Sequence, residues 1–131
     1  MKTVVIIEEY NHFHNGHAYQ IAHAKIVTGA QYCIIIMSLN FVQRCAAAIM
    51  DKYTRTRAAL TGGADLIIEL PVHFATASAE YFAAGAAALL DKLGIDCLCF
   101  GSECGNIQTL SDTADLLLAE STEYKELLQK K

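Results

Sequence analysis

Val4-Val5-Ile6-Ile7 is an apolar run without polar alternation, cut off by the paired acids Glu8 and Glu9. A β-branched run this short reads as a strand, and a strand with no polar face must be covered on both sides. Lys2 to Glu8 is therefore read as a central strand of a parallel sheet. The rest of the chain must supply helices for both of its faces.

It does so in alternation. Tyr32 to Met37, Leu66 to Leu70 and Cys97 to Phe100 read as further strands. Ala18, Ile21, Ala22 and Ile26 recur at helical spacing and end at Thr28-Gly29. Asp51 fits the N-cap of a helix running to Leu60 and stopped by Gly62-Gly63. Phe82, Ala86, Leu89 and Leu93 share a face between Ser78 and Gly94, and Leu110, Ala114, Leu117 and Leu118 mark another helix. Thr122 to Lys131 reads as an amphipathic tail, and Ser38 to Met50 as a long loop. Helix-ending glycines precede strands at Gly29, Gly63 and Gly94, but the intervening segments share no consensus, so a βαβ series fits better than a solenoid. The expected fold is an α/β, Rossmann-like three-layer sandwich with a mainly parallel sheet, and 131 residues make one domain with a real core.

Mean hydropathy is +0.28. The longest apolar stretch, Phe82 to Leu90, is about half of the roughly 18 residues a membrane helix needs. Glu8 and Glu9 end the first apolar run too early for a signal peptide. A cytoplasmic protein is expected, its apolar excess placed in the sheet or in an interface, with homo-oligomerisation open. The five cysteines, Cys33, Cys45, Cys97, Cys99 and Cys104, lack zinc-site spacing and are read as buried thiols. The net charge of −4 argues against a duplex-binding surface. Arg44, Lys52, Arg55 and Arg57 nevertheless cluster with Asp51 as their only nearby acid, and this cationic island suggests a small anionic ligand.

In a parallel sheet, ligands bind beyond the carboxyl ends of the strands. The loops after the four strands should therefore share one rim. The first holds Tyr10-Asn11-His12-Phe13-His14-Asn15-Gly16-His17. If a helix starts near Asn15, His14 and His17 lie three apart on its first turn and can point the same way. Gly16 lets a phosphate approach the helix N-terminus, where two imidazoles would stabilise charge developing on an α-phosphate. A capped turn with two exposed histidines explains the same residues. Asn40, Gln43 and Arg44 offer fork-like donors to phosphate oxygens, and Lys52 a cation for β/γ-phosphates; a solvated loop is the alternative. Gly101-Ser102-Glu103 could hold an adenosine, Glu103 accepting from a ribose hydroxyl, or be a plain strand-to-helix turn.

Taken in order, Glu9-Tyr10-Asn11, Phe13 to His17, Asn40 to Arg44, Asp51-Lys52, Ala64 to Pro71, Ser78 to Phe82 and Phe100 to Glu103 resemble the N-terminal region of the bacterial tRNA(Met) cytidine acetate ligases, of the HxGH nucleotidyltransferase superfamily. The resemblance covers nearly the whole chain and fades after about Asn106. It implies ATP, with Mg2+, activating acetate as acetyl-adenylate for transfer to the wobble cytidine of elongator tRNA(Met). It implies His14 and His17 as the catalytic pair. It implies an ATP pocket formed by Ile7 to Gln20 (Ile7, Glu8, Glu9, Tyr10, Asn11, Phe13, Asn15, Gly16 and Gln20 within it) and Gly101; no residue is assigned as a metal ligand.

The chain departs from the family pattern at His12, where the family has proline, at Leu39 and Cys45, where it has glycines, and at Ala46-Ala47, where it has glutamate-proline. Positive φ at those glycine positions would cost roughly 1–2 kcal/mol per misfit residue. Family members are longer, so the chain reads as a single nucleotidyltransferase-like domain, a fragment or shortened form without the C-terminal tRNA-binding part. Three rival readings remain: a nucleotide-binding module without turnover, a metal site at His12, His14 and His17, and a small-molecule adenylyltransferase of the same superfamily.

Overall fold

A computed structural model describes residues 1–43 and 45–119. Arg44 and the expected tail over 122–131 lie outside the described residues. The chain divides into two compact units, Met1–Phe100 and Gly101–Lys131.

The first unit runs β1 (Thr3–Glu8), α1 (Asn15–Thr28), β2 (Tyr32–Ser38), β3 (Phe41–Val42), β4 (Ala46–Ala47), α2 (Lys52–Thr61), β5 (Leu66–Leu70), α3 (Val72–Ala75), α4 (Ala79–Leu93) and β6 (Cys97–Leu98). Four strands form one sheet in the order β5-β2-β1-β6, and every pairing is parallel. Val4, Val5 and Ile6 are all buried, as a strand covered on both faces requires. On one face Val4, Ile6, Cys33 and Ile35 meet Ile21 and Ala24 of α1 and Ala59 of α2. On the other, Val5, Ile36 and Leu70 meet Ala75 of α3 and Ala86 and Leu90 of α4. These are the three layers expected.

Local signals set the helix ends. Asp51 accepts from the Tyr53 and Thr54 N–H groups at 2.9 and 3.0 Å, and Gly29 and Gly94 close α1 and α4 in the left-handed region.

Four expectations need correction. Part of the loop read over Ser38 to Met50 is a small hairpin, with Phe41 opposite Ala47 and Val42 opposite Ala46. The segment after Pro71 starts a one-turn helix. On α1 the buried residues are Ile21 and Ala24, whereas Ile26 is exposed because the sheet covers only a narrow stripe of that helix. Of the five thiols, only Cys33 is fully buried; Cys45 and Cys104 are exposed on loops. Burial pushes the Cys33 thiol up to about 11.

In the second unit, α5 (Ile107–Ala119) begins where Asn106 Oδ1 accepts from the Gln108 and Thr109 N–H groups at 2.9 and 3.2 Å. Among the described residues no helix is long and apolar enough to cross a membrane.

Candidate functional site

β1 ends at Glu8 on the carboxyl edge of the sheet, and six residues later the chain turns into α1. His14 is the N-cap: its backbone is extended (φ −144°) and its Nδ1 accepts from the Gly16 N–H at 3.1 Å. His17, at the third helical position, accepts at Nδ1 from the His14 N–H at 3.2 Å. This is a reciprocal capping box built from two imidazoles instead of a hydroxyl and a carboxylate. The rings stack with centroids 3.7 Å apart and planes 23° apart. A neutral imidazole that accepts at Nδ1 carries its proton on Nε2, so the heavy-atom geometry assigns both rings as Nε2–H donors. Burial, followed by the neighbouring His14 and His12, holds the pKa of His17 below the usual histidine value and favours its neutral form. Gly16 is glycine for lack of space: a Cβ there would meet His14 Cε1 at 2.9 Å.

Aromatic packing supports the pair. The Tyr10 ring is buried, 4.8 Å from His17 and edge-on to Phe13 at 5.0 Å. Phe13 in turn fills the space where a Cβ on Gly62 would fall, 2.2 Å from its Cζ. Tyr10 adopts φ +47°, and its hydroxyl finds no partner among the described residues. Burial raises the Tyr10 pKa, so the phenol stays protonated.

Beside the histidines lies a cavity of about 540 Å3 lined by Ile7, Glu8, Glu9, Tyr10, Asn11, His12, His14, His17, Gln43 and Phe82. Burial pushes the Glu8 carboxyl above its ordinary value, against a hydrogen bond with the Glu9 backbone and helped by the neighbouring Glu9 carboxylate. Gln43 is held in place from across the cavity, its N–H donating to Glu9 Oε1 at 2.7 Å. The Ile49 N–H donates to Asn11 Oδ1 at 2.7 Å, so two side chains of the first loop anchor both flanks of the hairpin.

Of the residues expected to bind nucleotide, Ile7, Glu8, Glu9, Tyr10, Asn11 and Gln43 line this cavity together with His14 and His17. Asn15 and Gly16 form the exposed start of α1 and Gln20 is half-buried further along it. Phe13 packs against His17. Asn40 spends its side-chain oxygen on the Lys52 N–H at 3.0 Å. Lys52 is engaged by Glu69 at 2.6 Å, and that contact raises its pKa. Gly101, Ser102 and Glu103 belong to the second unit, where Ser102 Oγ accepts from the Gly105 N–H at 2.9 Å.

Among its described residues, the cationic island is not a set of three free charges. Arg55 is fully buried and donates to main-chain carbonyls, and Lys52 is paired; Arg57 is exposed. Sequence reasoning missed Arg55 as a structural group, although it stood inside the basic cluster. It also missed Phe82 as a cavity wall, although Phe82 closed one of the quoted motifs. Of the two departures from glycine, Cys45 has φ +59°, whereas Leu39 is not among the positive-φ residues. The steric cost therefore falls on Cys45 alone. Among the described residues no three His, Cys, Asp or Glu side chains converge as a metal-ligand set.

The family described as HIGH Nucleotidyl Transferase matches residues 1–131. The chain is 49% identical over 130 residues to the tRNA(Met) cytidine acetate ligase of Acetivibrio thermocellus, covering 98% of this chain and 31% of that protein. It is 52% identical to the enzyme of the same name from a Thermoanaerobacter species, covering 98% of this chain and 32% of that one. The chain thus spans about a third of the length of these curated relatives. The crystal structure of Thermotoga maritima TmcAL bound with alpha-thio ATP superimposes with a TM-score of 0.89 at 41% identity, over 99% of this chain and 32% of that one.

Proposed function

The chain belongs to the HIGH nucleotidyl transferase family, and from that premise we propose that it binds ATP in the cavity beside His14 and His17 and activates acetate as acetyl-adenylate. The carboxylate oxygen of acetate attacks the α-phosphorus, a P–O bond forms, and the bond to pyrophosphate breaks. The observation that carries this reading is the stacked imidazole pair with both Nδ1 atoms occupied. Two Nε2–H donors are thereby fixed at the positive end of a helix, without having to reorganise as charge builds on the α-phosphate. Asn15 and Gly16 supply the open helix start, Glu8, Glu9 and Gln43 the polar walls, and Ile7 and Phe82 the apolar ones.

The relatives' name, which gives a cytidine of tRNA(Met), extends the proposal to the acceptor; with the sequence resemblance, we take it as the wobble cytidine of elongator tRNA(Met), acetylated in the cytoplasm. Here residues 1–131 act as a single nucleotidyltransferase-like domain, with tRNA contacts assigned to the two thirds of the relatives that lie outside the match. Asn40, Arg44, Lys52, Gly101, Ser102 and Glu103 enter the proposal as nucleotide-binding residues because of the sequence motifs they stand in. Mg2+ normally travels with ATP on its phosphates and keeps most of its waters, which suits a cavity whose carboxylates, among the described residues, are Glu8 and Glu9.

One observation favours nucleotide binding with little turnover: Cys45, at φ +59°, strains the hairpin that carries Gln43. Acetate-dependent exchange of pyrophosphate into ATP separates the two readings. The proposal expects exchange that is lost in His17→Ala. ATP binding without exchange supports the second reading.

A further inference from the structure

Arg55 is the largest fully buried side chain of the described residues, yet no carboxylate lies within salt-bridge distance of it there. Its guanidinium is instead spread over three main-chain carbonyls. Nη1 donates to the Glu9 carbonyl at 2.5 Å, Nη2 to the Leu39 carbonyl, and Nε to the Met50 carbonyl at 3.1 Å. Those carbonyls belong to the loop after β1, the loop after β2 and the residue before the α2 N-cap. Burial lowers the Arg55 pKa, with Glu9 and Asp51 acting against that, and the group remains a cation.

These three segments carry the cavity. Glu9 is a wall residue whose carboxylate holds the Gln43 N–H at 2.7 Å. Leu39 leads directly into the hairpin that presents Gln43. Ile49, next to Met50, is tied to the wall residue Asn11 at 2.7 Å. The guanidinium thus sits where the histidine turn, the hairpin and α2 meet, and its planar fork can satisfy two separate loops at once. A lysine ammonium, a single compact charge on a flexible stem, cannot hold the Glu9 and Leu39 carbonyls in the same geometry.

We propose that Arg55 is a positioning residue for nucleotide: its buried guanidinium locks the hairpin onto the histidine turn, so that Gln43 and Glu9 face the cavity before ligand arrives. The inference rests on the ATP reading of the cavity. It predicts that the hairpin and the turn open and close as one unit, and that ATP affinity depends on that unit more than global stability does.

The test pairs Arg55→Lys with the parent chain, measuring ATP affinity by calorimetry, melting temperature, and amide exchange over the hairpin. Arg55→Lys is expected to weaken ATP binding about tenfold, as loss of one charge-assisted hydrogen bond would. Exchange at Gln43, Ala48 and Ile49 should rise while α4 exchanges as before. Unchanged ATP affinity, or a melting temperature that falls with hairpin protection intact, overturns the proposal and leaves Arg55 merely structural. Should Arg55→Lys fail to fold, the parent alone decides: ATP must protect the hairpin and the 9–14 turn together, and a hairpin indifferent to ATP overturns the proposal. A parent that binds no ATP at all instead removes the ATP reading, and the inference with it.

Discussion

The imidazoles of His14 and His17 lie 3.7 Å apart, ring over ring, and each is locked by a main-chain N–H at its Nδ1. Stability and chemistry therefore use opposite edges of the same rings. Nδ1 caps the helix, and Nε2 is left to a ligand.

The two roles can be separated at His14. Asparagine is as good an N-cap as any residue, so His14→Asn should keep α1 and change stability by less than about 1 kcal/mol. The Nε2 donor is lost, and acetate-dependent pyrophosphate exchange should fall roughly 100- to 1,000-fold. A variant that exchanges at the parent rate would show that His14 only caps the helix.

The depressed pKa of His17 fixes the sign of a pH effect. The unfolded chain protonates this histidine near its ordinary value of about 6.5, the folded chain only at lower pH. Between these values the unfolded state binds more protons, so stability rises with pH through that window. This contribution costs nothing above the ordinary value and grows as the solution is acidified below it. An NMR titration of the imidazole signals should find His17 titrating below 6.5, and replacing it by Gln should flatten that part of the stability profile. A His17 that titrates above the ordinary value would reverse the sign and contradict the assignment.

Cys45 and Leu39 should respond oppositely to glycine. At φ +59°, Cys45→Gly relieves left-handed strain and should stabilise the chain by about 0.5–1 kcal/mol, even with loss of the 3.4 Å thiol contact to the Thr76 carbonyl. Leu39→Gly relieves nothing and should cost a comparable amount through the unfolded chain's entropy. Urea midpoints of the two variants decide the point, and a destabilised Cys45→Gly counts against the strain.

Gly62 lies far from the cavity in sequence but under its aromatic support. Its φ of −76° suits any residue, so the constraint is space: a Cβ would sit 2.2 Å from Phe13 Cζ. Gly62→Ala should cost about 1–3 kcal/mol as an overpacked site. It should also displace Phe13 from Tyr10 and shift the His17 imidazole resonances. Alanine accepted with unchanged His17 signals would show that Phe13 does not support the pair.

The sequence by itself determined the layers and the first turn of the site. An unalternating Val4 to Ile7, helical spacing after it and glycine stops at Gly29 and Gly94 are local signals, each within one period of a strand or helix. The helix start at Asn15 follows from the same kind of pattern, and it alone places His14 three positions from His17. Tertiary structure decided what those side chains do. Arg55 looked like a surface cation among others until loops 46 and 16 residues away turned their carbonyls on it. Lys52, read as a phosphate ligand, met Glu69 from the neighbouring strand, and Phe82 reached the cavity only because α4 covers the far face of the sheet. Such partners are chosen by which loops the sheet brings together. Sequence spacing carries no record of that, because the hydrogen bonds run between elements rather than along them.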